Sequence, residues 1–242
     1  MPSVTLLVLI FLVAMVYASV GHGGASGYLA VVSLLGYEPV RMASSALVLN
    51  LFVAGLAFFA FRRAGHFSWS LTWPFLLASM PAAALGGWLP VNRHAYEGLL
   101  AAALLFAAAR LWLRMSSRTD ADQMPRRRVA FPIGAGIGLL SGVVGVGGGI
   151  FLSPLLVLCR WADAKRTAAT SAAFIVLNSL AGVAGRVMAG RFEVGSMLPL
   201  IAAASVGGVV GSRLGATHFS NPWLCRILGL VLVVAVGKLI LT

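Results

Sequence analysis

Apolar residues fall into ten runs, and the two shortest runs each follow a cluster of glycines. The first run covers about Val4 to Val20 and stops at Gly21-His22-Gly23-Gly24-Ala25-Ser26-Gly27. A short run, Tyr28 to Leu35, follows, then longer ones at about Ala43 to Phe61, Leu71 to Leu89 and Tyr96 to Leu113. The order then repeats. Val129 to Val144 leads to Gly145-Val146-Gly147-Gly148-Gly149 and a short run ending near Cys159. Runs at about Ala168 to Met188, Val194 to Leu214 and Trp223 to Leu241 complete the second set. The long runs are continuous, as helical spans require, and do not alternate as barrel strands do. At about 1.5 Å per residue the short runs cannot cross about 30 Å of hydrocarbon. Each is predicted to be half of a re-entrant pair or of a broken helix. Pro74 and Pro81 interrupt the fourth run, which membrane helices tolerate when neighbours satisfy the freed carbonyls.

Composition agrees with this pattern. Of 242 residues, 60% are hydrophobic and 10% charged, and mean hydropathy is +0.97. Soluble domains carry about 25% charged residues. The expected class is therefore all-α, a polytopic helical membrane protein in a lipid bilayer. Net charge is +12, but basic residues gather in cytoplasmic loops of such proteins, and no basic face interleaved with aromatics suggests nucleic acid. Val16-Tyr17-Ala18 resembles a secretory cleavage site. The run lacks a basic flank and its counterpart at 129 to 144 is internal, so it is kept as part of the fold. Cys159 and Cys225 form no CxxC, and neither a metal site nor a cofactor is expected.

The two sets share a register. Gly65-His66-Phe67 answers Gly190-Arg191-Phe192, Pro74 answers Pro199, Gly86 answers Gly211 and Arg41 answers Arg166, all at an offset of 125. Ser44-Ser45-Ala46 answers Thr170-Ser171-Ala172 at 126. These matches indicate duplication, with residues 1–113 as the first repeat, 114–128 as a basic linker and 129–242 as the second repeat. Five apolar segments per repeat, an odd number, make the second enter from the opposite side. The result is two inverted repeats with glycine-broken or re-entrant helices meeting near the midplane. Thirteen Lys and Arg fall on the side of the linker and five on the other, which places the linker in the cytoplasm and both termini outside.

The breaks carry the candidate chemistry. A helix starting after each one presents unpaired N–H groups and a positive dipole end, which suit an anion. Paired breaks in two halves point to a transporter's binding site. The candidate substrate contacts are Gly23, Gly24 and Ser26 in the first break and Gly147, Gly148 and Gly149 in the second. Ser45, Asn50, Thr170, Ser171 and Asn178 in the neighbouring runs join them. Close helix packing at small residues is the alternative for the glycines, and bonding to a helix backbone for the side chains. The dinucleotide reading of GxGGG fails without a preceding strand. His22, the only titratable residue in a break, would suit proton coupling. Arg41 and Arg166, before the third run of each half, would attract an anion at either mouth or anchor lipid headgroups. Gly134, Gly138 and Gly142, like Gly207, Gly211 and Gly215, recur every four residues. They predict tight helix packing within the chain, with a homodimer interface as the alternative.

Gly145 to Pro154, Ala169-Thr170-Ser171, Asn178-Ser179 and Gly182 resemble the TauE/SafE family of sulfite exporters and related anion permeases. Gly21 to Leu29 and Ser44-Ser45-Ala46 echo them. Ala25 stands where the pattern has glycine, and Asn50 is out of register with Asn178. The resemblance implies export of sulfite or an organosulfonate such as sulfoacetate across a bacterial inner membrane. Uptake of an organosulfur or other inorganic anion is the reading of opposite direction. An intramembrane thiol-redox enzyme is the reading of another class, and it needs the paired cysteines that are lacking. Alternating access is expected from one half moving against the other around the breaks. Cysteines placed at Ser68 and Ser117 should both react with an impermeant reagent from the cytoplasm, and one at Ser3 from outside. Labelling of Ser68 and Ser117 from opposite sides would overturn this topology.

Overall fold

The computed structural model describes residues 3–34, 39–90, 124–193, 197–220, 222–223 and 226–227. In the first half α1 is Val4–Ser19, α2 Ala25–Leu34, α3 Pro39–Arg63 and α4 Trp69–Trp88. In the second, α5 is Arg127–Val144, α6 Gly149–Leu158, α7 Ala164–Met188 and α8 Leu198–Arg213, which a π turn, Leu214–His218, continues. The fifth run of the first half lies outside the described residues, as does most of the fifth run of the second. Every described element is helical, and four helices are long and apolar enough to cross a membrane. Many large apolar side chains face outward, while others, among them Phe61, Phe75 and Phe174, fill the core. On α1, Val4, Val8, Leu12 and Val16 are exposed at a spacing of four, while Leu6, Ile10, Ala14 and Tyr17 are buried. Outward apolar faces of this kind suit a bundle surrounded by lipid.

The duplication is visible in the geometry. α3 and α7 each have 25 residues. Each ends in a glycine with φ in the left-handed region, Gly65 at 81° and Gly190 at 65°. The closing bonds are the same too: His66 N–H donates to the Phe61 carbonyl at 3.1 Å, and Arg191 N–H to the Arg186 carbonyl at 2.9 Å. This is the six-to-one bond of a Schellman cap, formed twice. α3 and α7 run antiparallel. Ser44 at the start of α3 donates to the Arg191 carbonyl beyond the end of α7. Leu47 meets Gly182, and Phe61 packs with Ala168 and Ala169. Corresponding helices that cross antiparallel make the two repeats inverted.

The glycine ridges join one repeat to the other. Gly134, Gly138 and Gly142 of α5 lie on the backbone of Phe75, Ser79 and Ala83 of α4. Gly207 and Gly211 of α8 and Gly215 of the π turn lie in the same way on Phe11, Met15 and Ser19 of α1. Both pairs are parallel, and a Cβ at any of these six glycines would collide with a backbone carbonyl. Such ridges allow backbone contact, with van der Waals attraction and weak Cα–H···O bonds as the gain. These faces are therefore occupied within the chain.

The short segments are helical. α2 and α6 have ten residues each, about 15 Å of helix. α2 folds back along α1, with Ser26 beside Tyr17 and Gly27 against Val13. Some boundaries differ from the sequence expectation. α3 starts at Pro39 and α7 at Ala164, so Arg41 and Arg166 sit within first turns. Asp163 explains the second case: its carboxylate caps α7 by accepting from Arg166 N–H at 2.8 Å. Similarly, α5 takes in Arg127 and Arg128.

Replacing Gly211 by Leu should force α8 from α1 and lower stability by about 1–3 kcal/mol or more. Gly136→Ala, on a face with nothing within 4 Å, should leave stability unchanged or raise it. Thermal unfolding of the two purified variants checks this, and equal behaviour would remove the ridge from the account.

Candidate functional site

Both breaks are made by left-handed glycines. α1 closes at Gly21, φ 75°, with His22 N–H returning to the Tyr17 carbonyl at 2.9 Å. Gly24, φ 93°, then turns the chain into α2. In the second break Gly145, Gly147 and Gly148 have φ values of 77°, 78° and 78°. α6 begins after them, and Leu152 N–H reaches the Gly148 carbonyl at 3.2 Å.

Asn50, near the middle of α3, joins the two breaks. Its Oδ1 accepts from Ala25 N–H, the first residue of α2, at 3.1 Å. Its Nδ2 donates to the Val146 carbonyl at 3.2 Å. One fully buried amide thus satisfies a helix N-terminus from one half and an irregular carbonyl from the other. The glycines make room for it. A Cβ on Gly23 would collide with the amide, and one on Gly147 would lie 2.9 Å from Nδ2.

A second connection runs through hydroxyls. His22 Nδ1 lies 3.0 Å from the Val20 carbonyl, and a carbonyl only accepts, so Nδ1 carries a hydrogen. Nε2 lies 3.3 Å from Ser153 Oγ on α6. Ser153 Oγ is 2.6 Å from Ser171 Oγ on α7. In the neutral tautomer Ser171 donates to Ser153, Ser153 to Nε2, and Nδ1 to Val20. All three side chains are buried.

The other predicted residues occupy varied positions. Ser26 Oγ is 3.0 Å from the Tyr17 hydroxyl and ties α2 to α1. Thr170 Oγ1 is 3.4 Å from Thr72 Oγ1 of α4. Asn178 is fully buried on α7 and donates through Nδ2 to the Phe174 carbonyl at 2.8 Å. Ser45 is buried on α3, more than a turn before Asn50. Gly148 faces the Phe174 ring and Ser141, and Gly149 faces Ile175. The glycines therefore abut protein side chains closely. A bulky residue at Gly148 would be strained by its φ as well as by that contact, so loss of activity there would report folding too. Arg166 is exposed and lies 3.9 Å from the Asp163 carboxylate. The Arg41 side chain lies outside the described residues.

The substrate contacts expected from the sequence leave out Thr72, Ser141, Ser153 and Ser179, although Ser153 and Ser179 lie in stretches that carry the family resemblance. Ser153 lies one turn past the second break and Ser179 follows Asn178, a proximity that could have marked both. Ser141 gave no signal beyond its place before a break. Arg186 was also missed: from the end of α7 its Nη2 donates to the Val143 carbonyl at 3.2 Å, near the end of α5.

Hydroxyls, amides and irregular backbone gathered inside a lipid-facing helical bundle belong to a multi-pass membrane transporter. The chain belongs to the TauE/SafE family of sulfite exporters, whose family model, "Sulfite exporter TauE/SafE", matches residues 6–239. It is also similar to the "Probable membrane transporter protein y4hK" of Sinorhizobium fredii, 36% identical over 244 residues and covering 98% of each chain. No solved structure matches it.

Asn50→Leu should destabilise the protein by about 2–6 kcal/mol, since Ala25 N–H and the Val146 carbonyl are both left buried and unpaired. Asn50→Asp keeps the bond to Ala25 but cannot donate to Val146, and should fall between. Unfolding in detergent of the three proteins gives the order, and a wild-type midpoint for Asn50→Leu would contradict it.

Proposed function

We propose that the protein is a secondary exporter of a small sulfur-containing oxyanion, sulfite or an organosulfonate. It works in a bacterial inner membrane by alternating access around the joined breaks, with both termini outside. The observation that carries this reading is the meeting of the two breaks at Asn50, midway along α3. Polar groups from both halves meet there: Asn50 and the Ala25 N–H of the first with the Val146 carbonyl of the second, and His22 of the first with Ser153 and Ser171 of the second. None of them carries a fixed charge. Neutral donors suit an anion that must also leave, whereas an arginine at this depth would be costly and hold it firmly. Arg186, near the end of α5, supplies attraction without occupying the centre.

The His22–Ser153–Ser171 chain supports proton coupling. A second proton on the imidazole would make Nε2 a donor and reverse every hydroxyl in the chain. The site would then present a different pattern to the ion in its two protonation states.

Purified protein in proteoliposomes should move labelled sulfite or sulfoacetate well above chloride, with thiosulfate as a further comparison. Ser171→Ala should lower the rate at least about tenfold with the fold intact, because the hydroxyl chain loses its outer member. Lys165→Ala, in the first turn of α7, should stay within about twofold. Equal rates for all four anions, or a wild-type rate for Ser171→Ala, would refute the assignment.

A further inference from the structure

The breaks differ in how completely their polar groups are paired. Around the first, Tyr17 bonds Ser26, both His22 nitrogens are engaged and Ala25 N–H is capped, which leaves the Tyr28 hydroxyl alone. Around the second, three fully buried polar atoms have no partner: Ser141 Oγ, Asn178 Oδ1 and Ser179 Oγ. Ser141 and Ser179 face consecutive glycines. The Ser141 Cβ is 3.2 Å from where a Gly148 Cβ would stand, and Ser179 Oγ is 3.0 Å from the corresponding point on Gly147. Asn178 adjoins Ser179 on α7, one turn beyond Phe174, whose ring also faces Gly148. At the repeat offset of 125, the first half has Val53 and Ala54 opposite Asn178 and Ser179, so this polar group belongs to one half only.

Buried polar atoms without partners are rare, and each calls for an explanation. The donor pattern here is specific. Asn178 Nδ2 is committed to the Phe174 carbonyl, which fixes the amide and leaves Oδ1 as an acceptor without a hydrogen. The two serines each offer a hydrogen. A ligand completing the set has several acceptor oxygens and one O–H.

We propose that Ser141, Asn178 and Ser179, beside Gly147-Gly148, form a subsite for a monoprotonated oxyanion of the hydrogen-sulfite type. Its O–H donates to Asn178 Oδ1, and its remaining oxygens accept from the two serines. The proposal rests on the transport reading above and narrows its substrate. A sulfite dianion or a sulfonate group would set a lone pair against Asn178 Oδ1. Few other titratable groups border the subsite. Arg186 of α7 holds the Val143 carbonyl, His22 bonds Ser153 across the breaks, and Tyr17 and Tyr28 lie on α1 and α2. α4 and α6 contain no titratable side chain, and those of α3 and α5 sit near the helix ends.

The test is calorimetric binding of sodium sulfite and of methanesulfonate to the purified protein, over a pH range spanning the second ionisation of sulfite. Affinity for total sulfite should fall roughly tenfold per pH unit above that ionisation. Methanesulfonate has no acidic hydrogen there and should bind more weakly, without the slope; a slope caused by His22 would appear with both ligands. Ser141→Ala and Ser179→Ala should each weaken sulfite binding about threefold to tenfold. Their unliganded melting temperatures should be unchanged or higher, since each loses an unpaired buried hydroxyl. Purely structural serines would give the reverse, lower melting temperatures with affinity intact. Asn178→Leu should remove the pH slope. Sulfite binding with no slope, or with wild-type affinity in both serine variants, overturns the subsite and leaves the transport reading standing. Failure of folded wild-type protein to bind any oxyanion at any pH overturns both.

Discussion

Backbone polarity at membrane depth is the constraint on which the structure depends. A helix that stops inside hydrocarbon leaves N–H and carbonyl groups without partners, each costing several kcal/mol. This chain stops twice, after Ser19 and after Val144. The Schellman closure at Gly21 and the bond from Gly145 N–H to the Ser141 carbonyl, 2.8 Å, resolve part of the debt within each helix. What remains is shared between the breaks, because the Asn50 amide satisfies one group from each. Neither break is complete alone. That is a physical reason for them to meet at the centre of the bundle.

Close packing then follows from the same need. With lipid outside, apolar burial does not drive helix against helix, so contact must come from van der Waals fit. The ridge of Gly134, Gly138 and Gly142 brings α5 to the backbone of α4, and that of Gly207, Gly211 and Gly215 brings α8 to α1. The apolar interior, with Phe61, Phe75 and Phe174 in it, also holds a polar set: Ser79, Ser141, Ser153, Thr170, Ser171 and Asn178 are all buried at 0% exposure. Large apolar side chains such as Phe59, Leu77 and Val206 stand outside, at 62%, 62% and 57% exposure.

Much of this was legible in the sequence because it is written in residue types with narrow physical uses. Left-handed backbone requires glycine, so the breaks could be located; ridges require glycine at a spacing of four, so the paired faces could be located. The offset of 125 between Gly65 and Gly190 reflects a shared helix cap. Partnership was not legible. Nothing in the spacing of Asn50 says that it bonds both Ala25 and Val146, because that depends on α3 lying between the two breaks. Asn50 and Asn178 looked like imperfect counterparts and do different work, one joining the breaks and the other bonding its own helix. Serine is common in membrane helices, so Ser141, Ser153 and Ser179 could be distinguished only once their neighbours were known. Arg166 shows the opposite error of emphasis: its charge drew attention, but it sits exposed beside Asp163.

The interlocking of the repeats also bears on how access could alternate. An inverted duplication suggests that the first half rocks against the second. Here α1 packs on α8 and α4 on α5, through backbone contacts that cross the repeat boundary. Rocking half against half would part both ridges at once and expose carbonyls that the glycines now cover. The contacts around the breaks are mixed. Gly21 lies on the Ala168 backbone of α7, and beside it stand single hydrogen bonds, Asn50 to Ala25 and Val146, and His22 through Ser153 to Ser171. A hydroxyl or amide can exchange such a bond for one to a ligand at little net cost, whereas a parted glycine ridge has no substitute partner. Glycine backbone contacts also tie α4 to α7, through Gly87 on Gly182 and Gly185 on Ala84. The closest backbone contacts of the bundle therefore join the duplicated halves to each other, so the halves are not separately packed bodies.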